Sequence, residues 1–136
     1  MDPIYRITLP FRDIDMHGRM HNAAYVSHFE AAISQFLGAH QLSAEFAPSG
    51  ETVFVVRKSD VTYEAPCHYD DQIEITIDLA HLGRSSLAFR GEMRGAAGDT
   101  RAIAVITWIC VDRVKNQSKP IEDRLRTKLG AFLLKP

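Results

Sequence analysis

Residues 23–38 read AAYVSHFEAAISQFLG, and the fold is decided by how this stretch is read. Val26, Phe29, Ile33, Phe36 and Leu37 recur at helical spacing and form one apolar stripe. Asn22 is suited to cap the N-terminus, and Gly38 stands where a helix-ending glycine belongs. Ala23, Ala24, Ala31 and Ala32 keep the helix thin, so a neighbour can close around it. Ahead of it, residues 4–12, IYRITLPFR, alternate as a strand whose end Pro10 makes irregular or places at an edge. Behind it, past Pro48 and Gly50, the chain turns to strands. Residues 52–64 are rich in Val, Phe, Thr and Tyr, and Pro66 ends them. Ile73, Ile75, Ile77 and Leu79 alternate with Glu74, Thr76 and Asp78, and Leu87, Phe89 and Met93 mark one face of the next strand. Residues 102–111, AIAVITWICV, fit a central strand buried on both faces. Leu125, Leu129, Phe132 and Leu133 recur at helical spacing behind Pro120 and predict a C-terminal helix over 121–134. A helix segregated from consecutive strands implies an α+β fold with an antiparallel sheet of about five strands. One thin helix covers one face of such a sheet, so self-association is expected.

A chain of 136 residues that is 46% hydrophobic and 24% charged buries a core as one domain, 1–136, and is not disordered. Its net charge of −1 excludes the strongly basic balance of a nucleic-acid binder. The longest apolar run, broken by Thr107, is too short to cross a bilayer, so no membrane association is expected. The opening MDPIYRITLP lacks a basic segment followed by an apolar one, and Cys67 and Cys110 show neither CxxC nor metal-ligand spacing. A reduced, cytoplasmic protein is the expectation. From Arg113 onward seven Lys/Arg face two Asp/Glu, a basic end that serves either as a solvated face or as an attraction for a polyanionic ligand such as a phosphorylated cofactor.

The chemistry concentrates in residues 11–32, FRDIDMHGRMHNAAYVSHFEAA. Asp13 and Asp15 stand just before the helix, and His17, His21 and His28 follow with Asn22, Tyr25 and Glu30 among them. A helix N-terminus presents unpaired N–H groups and a positive dipole end. Such donors polarise a carbonyl oxygen that becomes negative during acyl transfer. A carboxylate beside them can act as general base on water or as nucleophile. On composition alone, an Asp before a helix is more often just a cap or a dipole partner.

This segment resembles the signature of hotdog-fold thioesterases of the 4-hydroxybenzoyl-CoA thioesterase type, through Asp13, Asp15, Gly18, Asn22, Ala23, Tyr25, Phe29 and Glu30. VTYEAP, the D-D-x-I strand, LGRSS, the small-residue strand ending in Val-Asp, and KPIEDRLRTKL are similar to later parts of the same family. The resemblance implies a long central helix wrapped by a curled antiparallel sheet, and hydrolysis of an acyl-CoA to a free acid and CoA without a cofactor. It implies Asp15 as the catalytic carboxylate and a backbone N–H at Asn22 as oxyanion donor. Asp13, Gly18, His21 and Tyr25 then shape the loop and pocket, with Ser85 and Ser86 as further substrate contacts. Arg57, Lys58, Arg84 and the basic C-terminal segment are candidates for the CoA phosphates. A homodimer, or a dimer of dimers, is the implied assembly. Arg19 and His21 stand where one subgroup has His and Asn, which leaves acyl specificity open.

Rival readings use the same residues. His17 and His21, four apart and close to Asp13 and Asp15, have the spacing of a helical metal pair, but Gly18 and the helix start at Asn22 make this stretch a loop. His28 is expected at the solvent or the pocket edge, and Glu30 remains an alternative carboxylate because superfamily members that use a helix Glu exist. Ser85 and Ser86 lack a GxSxG context and either contact substrate or hold a turn. A non-catalytic binder of acyl-CoA or acyl carrier protein on this fold is the alternative function, and the intact D-x-D argues against it.

Overall fold

The computed structural model describes residues 3–135. The alternation in β3 (Gln72–Leu82) buries Ile73, Ile75, Ile77 and Leu79 and turns Glu74, Thr76 and Asp78 to the other face. Short turns make β3, β4 (Ser86–Gly95) and β5 (Thr100–Asp112) an antiparallel meander. Two earlier strands, β1 (Tyr5–Thr8) and β2 (Thr52–Tyr63), extend it at opposite edges, giving the order β1-β3-β4-β5-β2. A two-residue β6 (Gln117–Ser118) folds back on the end of β5.

The helix read from residues 23–38 is α1 (Asn22–Ala39), and it packs against β1, β3 and β4. Its buried residues are Ala24, Tyr25, His28, Phe29, Ala32, Ile33, Phe36 and Leu37, pairs repeating every four positions. Val26 therefore leaves the expected stripe and His28 joins it, which corrects the reading of His28 as a solvent or pocket-edge residue. Gly91 lets α1 lie close to β4: a Cβ there would stand 2.6 Å from Phe29 Cδ1.

Both ends of α1 differ from the sequence reading. His21, not Asn22, is the N-cap, because its N–H bonds the Asp13 carbonyl at 2.9 Å and holds it extended. Gly38 is helical, and the left-handed residue is Gln41 at φ 56°. Leu42 N–H then reaches the Leu37 carbonyl at 2.8 Å and Gln41 N–H the Gly38 carbonyl at 3.2 Å, a Schellman ending in which Leu37 and Leu42 are both buried. A short α2 (Ser43–Phe46) follows. Pro10 stops β1 early, and residues Phe11–Asp13 form one 3-10 turn instead of continuing the strand.

The C-terminal helix is α3 (Asp123–Gly130), shorter than expected because Leu134 N–H instead bonds the Leu79 carbonyl at 2.8 Å. Leu125 and Leu129 bury its inner face. The β5 expectation holds for position but not for burial. Ala102, Ala104, Ile106 and Cys110 are buried on the α1 side, whereas Ile103, Val105, Ile109 and Val111 are half-buried on the other.

Candidate functional site

Between β1 and α1 the chain makes a small hairpin. Its base is the His21 N–H on the Asp13 carbonyl, its next rung pairs Ile14 with Met20, and its last is the Asp15 N–H on the Arg19 carbonyl at 2.8 Å. Gly18, at φ 79°, closes the tip with its N–H on the Asp15 carbonyl at 3.0 Å. Only glycine takes that backbone without strain. The D-x-x-G spacing is thus the requirement of this turn. Met20 N–H on the Cys67 carbonyl and an Arg19–His68 bridge fasten the hairpin to the segment after β2.

The two aspartates have different surroundings. Asp15 Oδ1 accepts the His17 N–H at 2.8 Å and, more loosely, the Arg19 N–H at 3.4 Å. The His17 N–H, with the Arg19 N–H and the His17 and His21 rings, holds the Asp15 carboxyl below the usual range against the opposing effect of burial. No hydrogen bond occupies Asp15 Oδ2 among the described residues. Asp13 points inward, its Oδ2 2.7 Å from Nε2 of His28, a ring only 6% exposed.

At the α1 start, Ala23 N–H bonds Asn22 Oδ1 at 3.0 Å and Ala24 N–H bonds the His21 carbonyl at 3.0 Å. Asn22 N–H has no partner among the described residues. Asn22 is one of the residues lining a cleft of about 320 Å³, with Arg19, Met20 and Tyr25 on one side and Tyr63, Glu64, Ala65 and Pro66 on the other. Tyr25 meets Tyr63 edge-on with ring centroids 4.9 Å apart. Burial first, and then Cys67, push the Tyr25 phenol far above its ordinary value, so it stays protonated. Sequence reading did not single out Arg19, Tyr63 or Glu64 for this cleft. Their signal was position, at the hairpin's end and just before Pro66.

The remaining candidates lie elsewhere in the chain. Glu30 is exposed on α1 and borders a different cleft with Ser34, Leu37, Phe46 and Trp108. Arg57 and Lys58 sit exposed at the bulge in β2. Arg84, Ser85 and Ser86 form the β3–β4 turn at the opposite end of the sheet, where the Ser85 carbonyl takes the Cys110 N–H and the Arg84 carbonyl takes the Ile121 N–H. Within one chain they do not meet the Asp15 hairpin. The basic C-terminal segment is largely engaged: Arg126 donates to the Gly83 and Arg84 carbonyls, and Arg124 and Lys128 flank Glu45 at 3.3 and 2.7 Å. A third cleft, of about 320 Å³, opens beside this segment between Phe54, Cys110 and Leu125. Among the described residues no three His, Cys, Asp or Glu side chains gather as a metal site. No helix among them is long and apolar enough to cross a membrane.

An antiparallel sheet curled around one long helix is the hotdog fold, and the enzymes it defines here are thioester hydrolases. The chain belongs to the thioesterase-like superfamily, whose model matches residues 9–129. It is 30% identical over 111 residues to the acyl-CoA thioester hydrolase YbgC of Escherichia coli O6:H1, covering 82% of this chain and 83% of the relative. It is 27% identical to the long-chain acyl-CoA thioesterase FadM of Escherichia coli K12, over 85% and 88% of the two chains. Among solved structures, a 1,4-dihydroxy-2-naphthoyl-CoA thioesterase from Synechocystis superposes with a TM-score of 0.84 at 16% identity, covering 93% of this chain and 94% of that one. A Staphylococcus aureus protein in complex with CoA superposes with a TM-score of 0.81 at 16% identity, over 95% and 82%.

Proposed function

We propose that this protein hydrolyses the thioester of an acyl-CoA, with Asp15 as the catalytic carboxylate and the Asn22 N–H as oxyanion donor. The observation that carries this reading is the division of labour at Asp15: among the described residues one oxygen is fixed by loop N–H groups and the other has no partner, in a hairpin that leads into the N–H at the start of α1, which has none among them either. The thioester carbonyl enters the cleft at Asn22 and Tyr25, and its oxygen takes the Asn22 N–H. Water whose proton passes to Asp15, or the Asp15 carboxylate itself, adds to the carbonyl carbon. The tetrahedral oxyanion collapses, the C–S bond breaks, and the thiolate leaves and is protonated. In the carboxylate route, water then cleaves the acyl-aspartyl anhydride and restores Asp15.

Coenzyme A carries phosphates, and Arg57, Lys58 and Arg84 are cations with no ion pair among the described residues. A cleft at one end of the sheet and cations along and beyond β2 fit one substrate when two chains meet. We therefore assign the working form to a homodimer, or a dimer of dimers.

Thiol release over a panel of alkyl and aryl acyl-CoAs tests the reading, with Asp15→Asn beside the wild type. Asn keeps the shape and removes the basic carboxylate, and general-base catalysis alone is worth about 10²–10⁴-fold. The expected result is a kcat at least about 10²-fold lower on the best substrate with KM changed far less, since the lost interaction belongs to the transition state. Near-wild-type turnover in Asp15→Asn rejects the assignment. Tight binding without thiol release across the panel would make the protein a non-catalytic acyl-CoA binder.

A further inference from the structure

The proposed chemistry leaves the buried histidine of α1, His28, without a role. His28 sits 6% exposed on α1, in the same four-residue register as Tyr25, Phe29, Ala32 and Ile33. Both of its ring nitrogens are engaged: Nε2 lies 2.7 Å from Asp13 Oδ2 and Nδ1 lies 3.0 Å from the Tyr5 hydroxyl on β1. For a neutral ring, one arrangement satisfies all three groups. The Tyr5 O–H donates to Nδ1, and the Nε2–H donates to the Asp13 carboxylate. Burial, followed by the nearby Asp13 charge, raises the Tyr5 phenol, which keeps that donor protonated.

Asp13 is the base of the hairpin that carries Asp15. Its carbonyl takes the N–H of His21, the N-cap of α1, and its side chain takes the ring of His28, almost two turns further along the helix. The hairpin is thereby fixed to α1 at two points through one residue. Its other arm is fastened to the segment after β2 through Met20 and Arg19, and the Asp13–His28 contact adds the point that sets its angle against α1. The free oxygen of Asp15 then keeps a constant place relative to the Asn22 N–H.

We propose that His28 is a positioning residue: held by Tyr5, it clamps Asp13 and so sets the placement of the Asp15 carboxylate against the N-terminus of α1. This inference rests on the catalytic reading of Asp15 for its kinetic consequence, but not for its structural one. An aromatic or aliphatic residue would fill the same space. The carboxylate–imidazole–phenol line adds direction to that packing, since a hydrogen bond to a charged group is roughly twice as strong as a neutral one.

The test uses His28→Leu, which removes both contacts and fills most of the volume, and His28→Gln, whose amide N–H can still reach Asp13. Two readouts are taken on each protein. Hydrogen–deuterium exchange of the amides of Asp15, Met20 and His21 reports the hairpin directly, because each closes a named hydrogen bond. Steady-state kinetics on the best acyl-CoA reports the consequence. A misplacement near 1 Å can cost about 10²-fold in rate, so His28→Leu is expected to lower kcat by about 10- to 100-fold with KM nearly unchanged. Exchange at the three amides should speed up, and His28→Gln should recover both readouts substantially. A purely structural His28 would lower the melting temperature of His28→Leu while leaving kcat, measured well below melting, and hairpin exchange at wild-type values. That result overturns the clamp, as does His28→Gln behaving like His28→Leu in both readouts. Full activity in Asp15→Asn would instead overturn the catalytic reading, and the exchange data would still decide the clamp.

Discussion

At Asp15, the backbone around the side chain sets the pH behaviour. The His17 N–H on Oδ1, joined by the Arg19 N–H and the His17 and His21 rings, favours the ionised form and lowers the carboxyl. A base that must be ionised loses function only as pH falls through its own lowered value, below the ordinary aspartate value of about 3.9. With respect to this group, kcat/KM is expected to stay flat from pH 7 to about 5, with an acid limb only below about 4. The same sign governs stability. Asp71, Asp99, Asp112 and Glu45 are also lowered; in Asp71 the effect of burial is outweighed by the His68 N–H and the Arg101 guanidinium. Their contribution is present above the unfolded carboxylate values and is lost as pH falls through the folded ones. Circular dichroism recorded beside the rate profile separates acid unfolding from titration of the site. A limb near pH 6 to 7 with the fold intact would place the essential group on a histidine. The family resemblance singled out Asp15, Gly18 and Asn22; the turn at Gly18 follows a local rule, whereas the rule for a helix start placed the cap on Asn22, one residue beyond His21. His28 was not legible, since a histidine amid apolar neighbours reads as polar until its two partners, from β1 and the 3-10 turn, are seen beside it.

At the scale of elements, α1 was readable from its apolar spacing, but its rotation was not. Periodicity gives a stripe, and the sheet decides which edge of it is innermost. Ala24 and Ala32 are buried beside Phe29 and Ile33 because small residues bring the helix axis down onto β3 and β4. The seat of Phe29 is Gly91, where an added Cβ would lie 2.6 Å from Cδ1, 2.9 Å from Cε1 and 3.1 Å from Ile77 Cδ1. Gly91→Ala must therefore push the ring, the helix or the strand aside, at an expected cost of about 1–3 kcal/mol. Urea unfolding measures it. The partner change Phe29→Leu trims the clashing ring, so the double variant should be less destabilised than the sum of the two single ones. Additive losses would show that the Gly91 contact is not what limits the approach. The helix ends show the same limit of sequence reading. Gly38 is the obvious stop signal, yet the helix runs past it. Burying Leu42 on Leu37 favours a left-handed Gln41 over an earlier ending.

For the whole molecule, the question is what covers β2. Edge strands are unpaired N–H and C=O rows, and long apolar ones are sites of further pairing. β2 is twelve residues long and, among the described strands, pairs with β5 alone. Residues 55–60 are exposed in succession, so neither face of that part of β2 is covered, and Val55, Val56 and Tyr63 are 42%, 50% and 50% exposed. Beside them the outer row of β5 (Ile103, Val105, Ile109 and Val111) is only half-buried. The outer faces of β3 and β4 instead carry Glu74, Asp78, Arg90, Glu92 and Arg94, with Glu92 bound by Arg90 and Arg94, so on the outer face of the sheet the apolar side chains gather toward the β5–β2 edge. From the sequence, a partner is expected on the strength of the apolar run at 102–111. That run does not show that the open edge would be β2, because that requires the crossover that places β2 beside β5. Sedimentation at micromolar concentration is expected to give a dimer or a dimer of dimers. Val56→Lys puts a charge into the middle of that edge, where an interface would have to desolvate it. It should shift the protein toward monomer and lower thioesterase activity together, while far-ultraviolet circular dichroism stays unchanged. A wild-type monomer at that concentration, or a monomeric Val56→Lys with full activity, would show that one chain holds the complete site and that Arg57 and Lys58 need no second copy to reach the substrate.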